Sequence, residues 1–222
     1  MTLMSRLRTE HLEPPPWLYA RMAQGSLMRL IYRRFVDDLA GSLPPGTRLL
    51  DVGTGPGYLL SYLSRVRPDL SLWGLDFSPD MIRRARQRGL ASPAAPRCLV
   101  ADACRLPFPP GVFGQVVATF SFHIWPCPLA GLQELRRVLA PGGRAWVYEL
   151  RREASLQDLR AFARETGLPL LFVYLGYQVV RWHHAPPAPE FSRLLRQAAG
   201  PEAHATLRPA HHIFWRAELQ SA

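Results

Sequence analysis

Leu49-Leu50-Asp51-Val52-Gly53-Thr54-Gly55-Pro56-Gly57 carries a short apolar run directly into a glycine-rich turn. Beyond it, Leu59, Tyr62, Leu63 and Val66 repeat at helical spacing, so the segment reads as strand, turn and helix in succession. Glycines allow the tight turn, and their missing Cβ atoms let the backbone approach a ligand closely. The spacing is selective. A dinucleotide fingerprint, G-x-G-x-x-G, requires glycine at position 58, where this chain has Tyr58. A phosphate P-loop is excluded too, because no G-K-[ST] follows.

Downstream, the pattern repeats. Residues 70–76 read as a second strand, with Ser78 as N-cap and Pro79 at the first position of the next helix. Met81, Ile82 and Ala85 give that helix an inner face, with Arg83, Arg84, Arg86 and Arg88 on or near its wet side. Residues 97–101 form a short third strand, and the nearly continuous apolar run at 115–122 a fourth, covered on both faces. Leu129, Leu132, Leu135, Val138 and Leu139 mark a helix stopped by Pro141-Gly142-Gly143, and residues 145–150 make strand five. This alternation implies βαβ units in a doubly wound, mostly parallel α/β sheet with helices on both faces.

Amphipathic helices are expected over 27–39, around Leu156, Leu159, Phe162 and Ala163, and over 191–198. Segments 205–208 and 212–219 look like a closing hairpin. The resulting division is an N-terminal helical cap (1–44), a core (45–153), an insertion (154–189) and a closing helix with its hairpin (190–222).

The composition is that of an ordinary globular chain, 48% hydrophobic and 20% charged, which excludes a disordered one. The longest apolar stretch, 168–180, is interrupted by Pro169 and Gly176 and is short of the roughly 20 residues that cross a bilayer. A soluble, cytoplasmic protein is therefore expected. All 27 basic residues are arginine, against 17 acidic ones, for a net charge of +10 that attracts anionic partners such as nucleic acid. The arginines are scattered and form no tail, which favours solvated helix faces. Cys98, Cys104 and Cys127 lack the spacing of zinc ligands or of a disulfide framework. His183-His184 and His211-His212 are adjacent pairs; neighbours on a strand point to opposite faces, so neither pair suits a shared metal. No metal site is expected.

Taken together, these landmarks resemble the class I S-adenosylmethionine-dependent methyltransferases. The run from Asp51 to Gly57 looks like that family's first motif, Asp76 matches the acid that holds both ribose hydroxyls, and Asp102-Ala103 matches the pair that meets the adenine amino group. The 135–143 stretch, Leu135-Arg136-Arg137-Val138-Leu139-Ala140-Pro141-Gly142-Gly143, closely resembles the family's "RVLxPGG" segment. The resemblance spans residues 45–150, about half the chain. It implies a seven-stranded Rossmann-like sheet, S-adenosyl-L-methionine as cofactor and S-adenosyl-L-homocysteine as product. Its cofactor-binding set would be Asp51, Gly53, Thr54, Gly55, Gly57, Asp76, Phe77, Met81, Asp102, Ala103 and Thr119, with Tyr19 from the N-terminal segment closing over the methionine end.

For several of these residues a plainer role competes. Asp76 could be a helix cap, Phe77 a core aromatic, Asp102 an ordinary turn residue, and Asp51 could merely order the glycine turn. The implied reaction is an in-line displacement in which alignment and water exclusion dominate, with a general base needed only if the acceptor must lose a proton. His123, beyond strand four, is the candidate base or substrate contact, with an unperturbed pKa of about 6.5, and a structural role competes for it as well. The Phe122-His123-Ile124-Trp125 segment lacks the N/D-P-P-Y/F run of many nucleobase methyltransferases and is similar to that of small-molecule methyltransferases, those of quinone biosynthesis included. Phe172, Tyr174, Tyr177 and Trp182 in the insertion suit an apolar or aromatic acceptor, or else a packed helical cover. A small-molecule acceptor is favoured. RNA methylation, a catalytically silent relative, aminopropyl transfer and peripheral membrane contact are less favoured alternatives.

Overall fold

The computed structural model describes residues 26–89, 94–184, 186–200 and 204–221. The elements run α1 (Ser26–Ser42), β1 (Arg48–Val52), α2 (Tyr58–Val66), β2 (Ser71–Asp76), α3 (Pro79–Gly89), β3 (Arg97–Val100) and β4 (Phe113–Thr119). A 3₁₀ turn (Phe122–Ile124) precedes α4 (Pro128–Val138), β5 (Leu139–Leu150), α5 (Leu156–Thr166), α6 (Leu170–His184), α7 (Ala188–Ala199), β6 (Ala205–Ala210) and β7 (Phe214–Gln220).

Seven strands form one sheet in the order β3-β2-β1-β4-β5-β7-β6. The pairs among β1 to β5 are parallel, and β7 runs antiparallel between β5 and β6. The alternation of side chains divides the core into two layers. Val117, Trp146 and Tyr148 face the layer shared with α1, α2, α5 and α6, through Phe35, Leu63, Phe162 and Tyr177. Val116, Ala118, Ala145 and Val147 face α4 and α7, through Leu132, Leu135, Phe191 and Leu195. Burial on both faces explains why the central strands read as unbroken apolar runs.

Three sequence expectations need correction. Strand four ends at Thr119 rather than 122: Phe120 turns to φ 54°, a left-handed conformation rare for a bulky residue, and leaves the sheet. Helix α4 stops at Val138, ahead of Pro141, and β5 begins at once at Leu139. Pro141-Gly142-Gly143 forms an irregularity within β5, where pairing jumps from Phe113↔Leu139 to Gln115↔Arg144. A Cβ on Gly143 would come within 2.8 to 3.2 Å of the Ala140, Phe113 and Gly114 carbonyl oxygens, so glycine is required by close backbone approach. Finally, His211 and His212 lie in the β6–β7 turn, both at positive φ, and not on a strand; His183 and His184 end α6.

Candidate functional site

In the order β3-β2-β1-β4, the chain leaves β1 toward β2 on one side while β4 lies on the other. Strand order reverses at the β1/β4 boundary, and ligands of open α/β sheets bind outside the carboxyl ends of the strands at such a point. The ends of these four strands carry the glycine turn, Asp76, Asp102-Ala103 and Thr119.

The glycine turn is held by β2 and by the residues just past β4. Gly53 and Thr54 both donate backbone N–H groups to the Leu75 carbonyl at 2.8 Å. Gly53, Gly55 and Gly57 have φ of 74°, 53° and 78°, which L side chains rarely adopt. A Cβ on Gly53 would fall 2.3 Å from the Ser121 Cβ, and the Ser121 hydroxyl donates to the Val52 carbonyl at 2.8 Å. Ser121 thus seats the turn, a role that sequence reasoning missed because 69 residues separate the partners.

Asp51 is fully buried on β1. Its Oδ2 accepts from the Thr54 hydroxyl at 2.8 Å, while Oδ1 has no hydrogen-bond partner. Burial pushes its pKa up to about 7; the Thr54 hydrogen bond opposes the rise and the neighbouring Asp76 charge adds to it. Asp76, last residue of β2, accepts from Gly55 N–H at 2.9 Å through Oδ2 and from Ser78 N–H at 2.8 Å through Oδ1. The Ser78 hydroxyl, in turn, accepts from Met81 N–H at 3.4 Å, as an N-cap does, and Met81 is buried. Asp76 therefore ties β2 to the glycine turn, and its role is wider than that of a helix cap.

Phe77 is 80% exposed, which removes the core alternative for that ring. Asp102 accepts from Cys104 N–H at 2.8 Å and its carbonyl from Arg105 N–H at 3.1 Å, so it does order a turn, with Ala103 buried inside it. Thr119 is buried at the end of β4 opposite Tyr148. Tyr19 lies outside the described residues. Arg88, expected near the wet side of α3, instead folds back over the Tyr58 ring at 3.7 Å and hydrogen-bonds the Pro56 carbonyl.

His123 sits in the 3₁₀ turn after β4, its side chain 11% exposed. Its Nδ1 lies 3.2 and 3.3 Å from the two carboxylate oxygens of Glu149, on β5. In the insertion, Tyr177 is an anchor: its hydroxyl lies 2.7 Å from the Arg151 and Arg152 carbonyls and accepts from Ala154 N–H. Phe172 and Tyr174 are exposed on α6, and the side chain of Trp182 lies outside the described residues. Of the cysteines, Cys98 is buried, Cys104 partly buried and Cys127 exposed. No group of residues suited to hold a metal occurs among the described residues, and no helix there is long and apolar enough to cross a membrane.

Residues 50–147 match the methyltransferase domain family. The chain is 42% identical over 120 residues to a demethylmenaquinone methyltransferase of Thermus thermophilus, covering 54% of each chain. The chain spans about half the length of that curated relative. A crystallised SAM-dependent methyltransferase from Aquifex aeolicus superposes with a TM-score of 0.69 at 19% identity, covering 93% of this chain and 98% of its own. The plantazolicin methyltransferase BpumL, crystallised with a monoazolic desmethylPZN analogue and SAH, gives 0.64 at 16% identity, over 86% and 84% of the chains. The strand order with its reversed β7, the glycine turn between β1 and α2 and these similarities agree: residues 50–147 form a methyltransferase domain within a class I S-adenosylmethionine-dependent methyltransferase fold.

Proposed function

We propose that the protein transfers a methyl group from S-adenosylmethionine to a small apolar aromatic acceptor of the hydroquinone class. The observation that carries the cofactor assignment is Asp51. Its buried, unpartnered Oδ1 beside a glycine turn lacks a donor, and the amino acid end of the cofactor offers an ammonium. The other residues fit as well. Gly53, Gly55 and Gly57 keep the turn free of side chains, Asp76 provides a carboxylate for the ribose hydroxyls, and the exposed Phe77 ring offers a face to adenine. The resemblance to the family supports Asp102 and Ala103 as partners of the adenine edge, and Met81 and Thr119 as further contacts of the cofactor.

When bound, S-adenosylmethionine would supply an electrophilic methyl carbon on a sulfonium whose leaving group is a neutral thioether. The chain's task is then alignment, exclusion of water and acceptance of one proton. His123 takes that proton from an acceptor hydroxyl, raising the electron density that attacks the methyl carbon. The hydroquinone class is supported by the similarity to the Thermus enzyme and by the FHIW segment. The net charge supports RNA poorly, because many arginines are used internally. Arg67, Arg86, Arg136, Arg137 and Arg151 all donate to backbone carbonyls of this chain.

The test is incubation with methyl-labelled S-adenosylmethionine and a reduced prenylated naphthoquinone lacking its ring methyl. Label in the quinone, one methyl per ring by mass, is expected. Label retained by the cofactor, or found in added ribosomal or transfer RNA, would overturn the acceptor assignment.

A further inference from the structure

His123 and Glu149 reach each other from adjacent strands. Thr119, the last residue of β4, pairs with Tyr148, so the chain just beyond β4 lies beside the end of β5. The Glu149 side chain is fully buried there, and both its oxygens address the His123 ring nitrogen Nδ1. Its Oε1 also accepts the His123 backbone N–H at 3.3 Å. One carboxylate thus fixes both the main chain and the ring of the same histidine.

A carboxylate in such a place is costly unless hydrogen-bonded, and a purely structural need would be met by an apolar side chain of similar volume. The chemistry offers another reason for it. An imidazole whose Nδ1–H is held by a carboxylate has its lone pair on Nε2, and the imidazolium formed on protonation is stabilised by the same partner.

We propose that Glu149 is a positioning residue that holds His123 in its Nδ1-protonated tautomer and fixes the ring, leaving Nε2 as the proton-accepting nitrogen of the site. This rests on the reading of the site given under Proposed function. The acceptor O–H bond breaks and its proton passes to Nε2, while the neighbouring ring carbon bonds the methyl carbon as the carbon–sulfur bond breaks and the sulfonium charge is discharged. The ring C–H bond at that carbon then breaks, its proton leaving for solvent, and His123 returns its proton to the oxygen, so one proton is released overall and no oxidant or reductant is required.

Long-range ¹H–¹⁵N spectra of the histidine-labelled protein test the tautomer without any acceptor, with His123 identified by the signals lost in H123N. The wild type is expected to show a protonated Nδ1 and an unprotonated Nε2 at alkaline pH. E149L should lose that preference, and E149Q, whose amide oxygen still accepts from Nδ1–H, should restore it. With the demethylated prenyl naphthoquinol, kcat in E149L is expected to fall by about a hundredfold, the lower end of what a general base contributes, with KM for S-adenosylmethionine unchanged. An Nε2-protonated wild type, or a tautomer indifferent to E149L, would overturn the proposal. Should E149L not fold, E149Q carries the test: the Nδ1-protonated tautomer kept together with most of the wild-type kcat supports the proposal, and a strongly reduced kcat with the tautomer kept, or full kcat with the tautomer lost, overturns it. Expected tautomers together with a wild type that leaves the naphthoquinol unmethylated would refute the acceptor class and leave the placement of Glu149 intact.

Discussion

Replacing Asp51 by asparagine should stabilise the ligand-free protein at alkaline pH while weakening its hold on the cofactor. The wild-type carboxyl is fully buried, keeps one hydrogen bond from Thr54 and has an unpartnered second oxygen, with its pKa pushed up to about 7. In the unfolded chain a carboxyl of this kind titrates near its ordinary value of about 3.9. Because the folded value is the higher one, Asp51's favourable contribution is fully present below about pH 4 and is lost as pH rises through about 7. A shift of roughly three units, at 1.36 kcal/mol each, makes the loss about 4 kcal/mol by pH 8. The substituted asparagine carries no proton to lose, and its amide oxygen still accepts from Thr54. Urea denaturation at pH 5 and pH 8 reads the difference: D51N should gain on the wild type by about 2–3 kcal/mol over that interval, the rest of the loss falling below pH 5. S-adenosylmethionine should stabilise the wild type more at pH 8 than at pH 6, because its ammonium meets the ionised carboxylate, and D51N should lack that increment. Parallel stability curves for the two proteins, or a variant less stable at pH 8, would refute the reasoning.

D76A should weaken S-adenosylmethionine binding by about 1–3 kcal/mol by calorimetry, the cost of losing charge-assisted hydrogen bonds. G53A should cost about 2–4 kcal/mol of stability in urea titrations, since its Cβ would collide with Ser121 and its φ is left-handed; G53A/S121G should recover the part due to collision. Asp38 has its pKa lowered: burial alone would raise it, but hydrogen bonds with His211 and Tyr148 and the charges of His211 and Arg216 outweigh that. Its contribution is therefore present above the ordinary carboxyl pKa and lost as pH falls through the lowered folded value, so D38N should flatten the acid limb of the stability profile. Thiol labelling at pH 8 should modify the exposed Cys127 first and Cys98 last, because burial pushes the Cys98 thiol up to about 11.

What the sequence disclosed was local and periodic. The step from apolar run to glycine turn to helix, Asp76 at the end of a strand and the Pro141-Gly142-Gly143 signal need only neighbouring residues to be read. The apolar run at 168–180, broken by Pro169 and Gly176, carried no such sign, and it forms α6, with Val173 and Tyr177 buried and Leu171, Phe172 and Leu175 exposed. The parts that stayed hidden depend on strand register. Ser121 meets Gly53 and Glu149 meets His123 only because β4 lies between β1 and β5. Arg88 was misplaced because a long side chain can fold back over an aromatic face that helical periodicity does not reveal.

The central claim is that the crevice outside β1, β2 and β4 holds an adenosyl sulfonium. Calorimetric titration of the wild-type protein with S-adenosylhomocysteine tests it most directly. One equivalent should bind, with S-adenosylmethionine competing and D76A weakening both. Saturable binding of a nicotinamide dinucleotide, with neither sulfur compound producing heat, would contradict it.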